Sequence, residues 1–344
     1  MSRTGGRVEP NGGRVEPNGG RVFRPGKTAW RSREASTVAI LVAEILFFVW
    51  YLWPESGHHT FFNQDNLLLI LKYSSIYGIA AIGAAIVIIS GGIDLAPGAI
   101  IALTTVVIGY LFVNAGWPLG ASAVVGLLVG VGAGLISSWL IVRVGLPPFI
   151  ATLGVMGIWR GTAFIVTEAR FFDLSAKLPR NWHVGGLSID WLGPIVMIVL
   201  AVAFQVLMTR YQWGRSVFAV GGNETAALFS GIPVSRIKTS AYVLAGLLAS
   251  VSGVVLAVVQ GQGKADLAGG YELDIIASAV VGGAALAGGR GSVAGAVLGA
   301  LIFGVLRNGL TQIPGATFYD RLIVGVAVIV IVVMDQVLTK REGT

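Results

Sequence analysis

The sequence predicts an all-α protein, a bundle of about ten membrane-spanning helices. Of its 344 residues 55% are hydrophobic and only 12% are charged, about half the charge of a typical soluble domain. Its mean hydropathy is +0.79, and it contains 49 glycines, a residue that lets membrane helices pack closely. A chain of this size has too little interior to bury so much apolar surface. Lipid must therefore cover most of it.

Ten apolar stretches are long enough to cross the roughly 30 Å hydrocarbon core of a bilayer as helices. They cover residues 36–53, 67–89, 95–113, 120–142, 148–168, 191–209, 237–259, 272–286, 293–311 and 319–338. The eighth stretch is short and rich in glycine, which predicts a broken or partial span. Together they predict one transmembrane domain, residues 35–339, between two tails, 1–34 and 340–344.

The N-terminal tail contains a repeated heptapeptide. GGRVEPN occupies Gly5–Asn11 and Gly12–Asn18 and begins again at Gly19–Val22. Glycine, proline, asparagine and arginine cannot form a core, so the tail is predicted to be disordered. Gly26–Thr28 resembles the end of a phosphate-binding loop, but Arg21 stands where the first glycine is needed and no strand precedes it. Any ATP that drives this protein must therefore bind to another chain.

The net charge of +7 is explained by membrane orientation, not by nucleic-acid binding. Basic residues crowd the tail before the first apolar stretch, and most others lie at helix ends, as the positive-inside rule requires. This distribution predicts a membrane protein with both termini and the 210–238 loop in the cytoplasm. The chain has no cysteine, no catalytic motif and no third ligand beside its loop histidines. We therefore expect neither an enzyme nor a metal site.

Two short segments suggest a helix break and an internal repeat. Ser90–Gly98 (SGGIDLAPG) and Val281–Gly289 (VGGAALAGG) share five of nine residues, and each follows a helix predicted to run inward, which indicates a parallel repeat. Irregular backbone survives in a membrane only where protein or a water-filled cavity covers it. Gly91, Gly92 and Asp94 therefore either line a translocation path or form a simple break in which Asp94 caps the next helix.

Three further charged residues are candidates for the same path. Arg160 lies near the middle of its predicted span, where an unpaired charge is costly and is retained for a function. Glu272 and Asp274 lie at the predicted outer end of the eighth span. Each carboxylate either stabilises the positive end of that helix or contacts a ligand, and the sequence leaves both interpretations open.

The 210–238 loop is predicted to contain a helix of about two turns. Asn223 is a good N-cap, Glu224 suits the positive helix end, and Gly231 ends the helix. The helix is too short to cross the membrane and too apolar to lie alone in water, so it needs a socket on its own bundle or on a partner. The residues assigned to it are Gly222, Asn223, Glu224, Ala226, Ala227, Leu228, Phe229 and Gly231.

Four segments resemble the permeases of ribose/xylose/arabinose-type ABC sugar importers: Ser90–Gly98, Leu146–Gly161, Gly214–Ile232 and Tyr271–Leu310. The resemblance runs in order over residues 66–335. It implies a homodimer that works with a separate ATP-binding subunit, which holds ATP-Mg, and with a periplasmic sugar-binding protein. It also implies that Gly222–Gly231 is the coupling helix that docks on the ATPase. Ala96 and Pro97 depart from the family, which more often has Ser-Val there.

The resemblance implies ATP-driven import of a monosaccharide, such as a pentose or deoxyhexose, with no cofactor on this chain. Two other functions stay open. One is an ABC permease for branched-chain amino acids or nucleosides. The other is an ion-coupled secondary transporter, although the sequence offers no paired acids in the middle of a span.

Overall fold

The computed structural model describes residues 27–52, 61–168, 170–179, 183–184, 187–319 and a few positions between 322 and 333. The heptapeptide repeats and the C-terminal tail lie outside the described residues, as does most of the predicted span 319–338. The described part is almost entirely helical, which confirms the all-α class. Lys27–Glu34 were predicted to belong to a disordered tail, but they form the first two turns of a helix.

Eleven α-helices occur in the described part of the chain. They are α1 Lys27–Tyr51, α2 Gln64–Ile89, α3 Pro97–Gly109, α4 Leu119–Val142, α5 Pro148–Thr167, α6 Leu192–Arg210, α7 Gln212–Gly222, α8 Glu224–Phe229, α9 Val234–Gln260, α10 Tyr271–Val281 and α11 Val293–Thr311. A π-helical turn, Tyr110–Asn114, extends α3. The strands are β1 Phe171–Asp173, β2 His183–Val184, β3 Leu187–Ser188 and β4 Gln262–Lys264.

Seven helical stretches of the described chain are long and apolar enough to cross a membrane. They correspond to α2, α3 with its π turn, α4, α5, α6, α9 and α11, and their bounds agree closely with the predicted spans. The first predicted span is a shorter apolar helix, Ala35–Tyr51. The eighth is α10, whose 11 residues extend only about 16 Å at 1.5 Å per residue. This confirms that the eighth span is partial.

The central helix is α2, and every residue from Ser74 to Ile89 is buried. Helices α6, α9, α10 and α11 pack around it. A helix that is apolar on all sides belongs in the interior of a bundle, and the run of isoleucine and alanine in α2 fits that position. Helices α4, α5 and α6 lie outside and leave most of their apolar side chains at least partly exposed.

The close contacts of glycines show which way the helices run. Gly134 of α4 faces Tyr242 and Gly130 faces Ser250, so α4 and α9 are antiparallel. Gly78 of α2 faces Ala300 and Gly304 of α11 faces Ser74, so α2 and α11 are antiparallel as well. The bundle therefore has two faces. The end of α2, the start of α9, α7 and α8 lie at one, here called the α8 face. The antiparallel pair β1–β4 lies at the other, the β4 face.

Two helix pairs in this bundle are related by inversion. Helix α2 crosses to the α8 face, the chain turns back through residues 90–96, and α3 begins inside the bundle and runs to the β4 face. Helix α9 crosses to the β4 face, the chain turns back through residues 261–270, and α10 begins inside and runs to the α8 face. These two helix pairs form an inverted repeat that the sequence did not predict. The two segments of the predicted parallel repeat follow α2 and α10, which both end at the α8 face.

Close packing of α4 against α9 predicts opposite effects for two neighbouring glycines. A Cβ atom at Gly130 would lie 2.2 Å from the carbonyl oxygen of Gly246, whereas a Cβ at Gly132 would meet nothing within 4 Å. Overpacking costs about 1–3 kcal/mol, while replacing helical glycine by alanine gains up to about 1 kcal/mol. We expect Gly130→Ala to lower the thermal unfolding temperature in detergent and Gly132→Ala to leave it unchanged or raise it. Equal temperatures for the two variants would contradict this packing.

Candidate functional site

The break between α2 and α3 is a buried turn shaped by two glycines. Gly91 has a φ of +82°, a conformation that glycine adopts without strain. Gly92 lies against the Tyr242 ring, where a Cβ would come within 2.4 Å of the tyrosine oxygen. The Tyr242 hydroxyl donates a hydrogen bond to the carbonyl of Ile93 at 3.3 Å. Since Tyr242 lies eight residues into α9, this turn enters the bundle by about 12 Å.

Asp94 lies inside this turn and is only 4% exposed. Its carboxylate accepts the backbone N–H of Ala96 at 2.9 Å, two residues along the chain. Ala96 itself is the N-cap of α3, and Pro97 is the first helical residue. Asp94 therefore fixes the turn that leads into the helix, and the predicted role of Asp94 as its N-cap is wrong. Because proline has no N–H and is tolerated in a first turn, α3 can begin without a side-chain cap.

Arg160 binds the second turn that enters the bundle. Its guanidinium donates to the carbonyl oxygens of Ala265 at 2.9 Å, Leu267 at 2.7 Å and Ala268 at 3.2 Å. These carbonyls belong to the turn between β4 and α10, and the Ala268 oxygen also accepts the Tyr271 N–H at 3.3 Å. Arg160 is 12 residues beyond the start of a 20-residue helix, so it lies at middle depth. The buried charge predicted there is thus bound to backbone carbonyls.

Glu272 lies where the first turns of α3 and α10 meet. A Cβ at Gly98 would lie 2.3 Å from Glu272 Oε2, 2.8 Å from the Ala268 oxygen and 3.5 Å from Arg160 Nη2. Glu272 Oε2 is shielded from solvent and has no hydrogen-bond partner among the described residues. Two helix N-termini and a guanidinium place positive potential around this carboxylate. The bundle therefore holds an ionic centre at the meeting point of its two interrupted helices.

Asp274 belongs to a separate ion pair. It is 1% exposed, and its Oδ2 lies 2.7 Å from Nη2 of Arg307 on α11. The Arg307 guanidinium lies over the Tyr77 ring at 5.6 Å from the centroid. Residues two apart on a helix face different sides, so Asp274 points towards α11 while Glu272 points towards α3.

A cavity of about 300 Å³ lies beside this ion pair, between α2 and α11. Its lining is mainly apolar, with a few polar groups that include the Arg307 guanidinium: Leu69, Ile70, Tyr73, Tyr77, Gly304, Arg307, Asn308 and Thr311. In the sequence Arg307 is visible only as a charge inside the predicted span 293–311. Its pairing with Asp274 has no signal in the sequence, because the two residues lie on different helices.

The 210–238 loop contains two helices, whereas the sequence predicted one. Helix α7 precedes the predicted helix and ends at Gly222. Trp213, Val217 and Val220 are spaced four and three residues apart, a helical period from which α7 could have been predicted. The predicted helix is α8: Asn223 is its N-cap, and the Asn223 Oδ1 accepts the N–H of Ala226 at 2.9 Å. Gly231, with a φ of +80°, turns the chain away after Phe229, as predicted.

Helix α8 is anchored on one side and open on the other. Glu224 pairs with Lys238 of α9 at 2.6 Å, and Ala227 is buried against the bundle. Leu228 is 61% exposed and Phe229 is 86% exposed. Single exposed apolar residues are common, but here two adjacent ones occupy the tip of a short capped helix. The helix thus packs against its own bundle through Ala227, and its Leu228 and Phe229 side chains point outwards.

The predicted site residues thus form four groups. Residues of the 222–231 segment form α8 and its two ends. Gly91, Gly92 and Asp94 form one entering turn, and Arg160 and Glu272 meet beside the other, close to the start of α3. Asp274 belongs to the ion pair with Arg307. No group of three or more metal-ligating side chains occurs in the described part of the chain.

Comparison with known proteins identifies the chain. The chain is 36% identical to the ribose import permease protein of Bacillus subtilis (strain 168), over 80% of this chain and 86% of that protein. It is 34% identical to a probable ABC transporter permease protein of Escherichia coli (strain K12), over 91% and 93% respectively. The fructose import permease protein of Rhizobium meliloti is also 34% identical, over 81% of this chain and 80% of its own.

No solved structure matches the chain. The family model described as "branched-chain amino acid transport system / permease component" matches residues 66–333, which include every helix from α3 to α11 and nearly all of α2. This match and the relatives above agree with the seven membrane-crossing stretches of the fold. The chain is therefore a multi-pass membrane protein that belongs to this family of transport permeases, and not to a family of enzymes.

Proposed function

We propose that this chain is the membrane permease subunit of an ABC importer that moves a monosaccharide into the cytoplasm. The named relatives that support this proposal import ribose or fructose, and a further relative, 32% identical, is the D-allose transport system permease protein of Escherichia coli. The family description names branched-chain amino acids, which remain the alternative substrate class. The observation that carries the proposed ATP coupling is the outward side of α8.

In this proposal α8 docks on a separate ATP-binding subunit, which holds ATP-Mg. The α8 face is then cytoplasmic, and α1 begins at that same face because Thr37 near its start bonds to the Val281 carbonyl. Both chain termini would lie in the cytoplasm of a bacterial cell, with the bundle in the inner membrane. Leu228 and Phe229 would enter a groove of the ATPase, and burial of both side chains would stabilise the complex by several kcal/mol.

The β4 face would receive a periplasmic sugar-binding protein. Such a partner supplies its own selective cleft, so the permease needs few recognition groups, and few charged side chains occur in the described spans. The path would run past the two entering turns, where Asp94, Arg160 and Glu272 supply hydrogen-bonding groups to sugar hydroxyls. Because α3 and α10 begin at the same depth, a change at either turn opens or closes the same point of the path.

A second copy of the chain would complete the transport path. Helices α4, α5 and α6 expose apolar side chains along their length, and Gly154, Gly157 and Gly161 of α5 have open space where a Cβ would stand. Small residues on an exposed side allow two membrane helices to approach closely. In the homodimer α5 would place Arg160 and the turn that it binds next to the central axis.

An ion-coupled secondary transporter is the remaining alternative. Its support would be the buried carboxylates Asp94, Glu272 and Asp274, since intramembrane acids often carry coupling protons or cations. Asp274 is already paired with Arg307, and Asp94 is bound to its own turn. Only uptake that collapses with an uncoupler and survives ATP depletion would favour this alternative.

The proposed docking of α8 predicts a specific loss of partner binding. We expect Phe229→Asp to abolish co-purification of the ATP-binding subunit, because the aspartate would have to lose its hydration inside an apolar groove. The matched control is Phe318→Asp. Phe318 is 90% exposed and follows the C-terminal end of α11, at the β4 face and away from α8. Both variants should keep the monomer's unfolding temperature. Equal recovery of the ATPase with the two variants would argue against α8 as the docking helix.

The ionic centre predicts that Glu272 acts in transport. Glu272→Gln keeps the shape of the side chain and removes the charge from the meeting point of α3 and α10. We expect uptake of radiolabelled ribose or fructose in reconstituted vesicles to fall about tenfold or more, the usual effect of an energy change above 1.4 kcal/mol, while the complex still assembles. The control is Asp266→Asn in the turn before α10, because the Asp266 carboxylate pairs with Lys264 at the surface. Unchanged uptake with Glu272→Gln would remove Glu272 from the path.

A further inference from the structure

Three separate segments of the chain come into direct backbone contact at glycines of the α8 face. A Cβ at Gly221, in the last turn of α7, would lie 1.7 Å from the Ile89 carbonyl oxygen. A Cβ at Gly288 would lie 2.6 Å from the Gly221 oxygen and 3.0 Å from Gly91 Cα, and one at Gly289 would lie 2.6 Å from Gly222 Cα. No side chain larger than hydrogen fits at these points. We call this contact the glycine joint: Gly91, Gly221, Gly222, Gly288 and Gly289.

A backbone hydrogen bond fastens the joint. The N–H of Gly289 donates to the carbonyl of Ile89 at 2.9 Å. Ile89 is the last residue of α2, and the final carbonyls of a helix have no partner within the helix. The turn after α10 therefore satisfies the end of α2. Gly91, Gly288 and Gly289 all have positive φ values, 82°, 82° and 73°, so the backbone paths on both sides of this bond require glycine.

Each segment of the joint lies within a few residues of α8, or next to α3 or α10. Gly221 precedes the start of α8 by three residues. Gly91 opens the turn that contains Asp94 and leads into α3. Gly288 and Gly289 lie in the turn that follows α10, the helix that carries Glu272. The joint thus connects the outward-facing helix with both interrupted helices over distances of a few residues.

Backbone contacts of this kind transmit displacement well. Where side chains separate two helices, a rotamer change can absorb a shift of about an ångström. Here main-chain atoms touch directly and the contact has no adjustable part, so the segments move together or separate. The other connection from α8 leads to α9 through Gly231, where a Cβ would meet nothing within 4 Å, and through the Glu224–Lys238 ion pair. Both side chains of that pair can change rotamer, so this connection is the more adjustable of the two.

We propose that the glycine joint transmits the movement of α8 to α3 and α10 during transport. This inference rests on the proposed function, in which an ATPase moves α8. The joint assigns to Gly221, Gly288 and Gly91 a positioning role in coupling, because none of them has a side chain with which to contact substrate or ATPase. When α8 is displaced, the turns at 90–96 and 282–289 follow it, and the meeting point beside Glu272 changes shape.

The first test separates coupling from assembly. Gly221→Ala must force α7 away from the end of α2, whereas Gly120→Ala places its Cβ in open space. With the complete complex, we expect Gly221→Ala to retain the ATPase but to lower uptake of ribose or fructose at least about fivefold, the lower end of usual coupling factors. Gly120→Ala should transport normally. Normal uptake by Gly221→Ala, with the ATPase bound, would overturn the joint. Failure of the unaltered chain to bind an ATPase would instead overturn the proposed function, and the joint with it.

A second measurement leaves the joint intact, in case Gly221→Ala fails to fold. The chain has no cysteine, so spin labels can be placed at Thr225→Cys and Leu286→Cys, both exposed positions, one on each side of the joint. A reference pair joins Leu286→Cys to Val124→Cys on α4. Adding a non-hydrolysable ATP analogue to the complex should change the reference distance and leave the distance across the joint unchanged. A changed distance across the joint, or no change in either pair, would overturn the proposal.

Discussion

The fold depends on satisfying main-chain polar groups where the membrane helices are interrupted. Lipid offers no hydrogen bonds at that depth, so each carbonyl or N–H left without a partner costs several kcal/mol. The Arg160 guanidinium binds three carbonyls of the turn before α10, and the Asp94 carboxylate binds an N–H of the turn before α3. These two charged side chains allow both helices to begin inside the bundle. Both charged groups therefore stabilise the fold, and both also lie beside the proposed transport path.

Glycine makes the interruptions possible by bringing backbones together. Gly98 admits the Glu272 carboxylate to the start of α3, and Gly92 admits the Tyr242 ring to the preceding turn. Elsewhere Gly130 and Gly246 let α4 and α9 touch through their main chains. Lipid tails give helices no hydrophobic reason to associate, so close van der Waals contact must hold such a bundle together. The high glycine content is thus the means by which a chain with so few polar groups acquires a defined interior.

Much of this architecture could be predicted from local sequence, and its long-range pairing could not. Apolar length located seven spans and the partial α10, and Asn223 and Gly231 marked the ends of α8. Helix α7 was missed although Trp213, Val217 and Val220 recur at helical spacing, so its signal was present in the sequence. The partners of Arg160 and Asp274 lie more than 30 residues away, and no local pattern reports contacts of that range. The inverted relation of the two interrupted helix pairs could not be predicted either. It is a relation between helix directions in the fold, and the two pairs have few identical residues that would reveal it in the sequence.

The small sheet at the β4 face has a consequence for how such a protein can diverge. Strand β1 pairs with β4 through main-chain hydrogen bonds, with Phe171 opposite Lys264 and Asp173 opposite Gln262. Main-chain pairing does not depend on side-chain identity. The outer surface of this sheet can therefore change its side chains freely from one lineage to another while its link to the turn held by Arg160 persists. A new partner at the β4 face could be acquired in this way without rebuilding the interior.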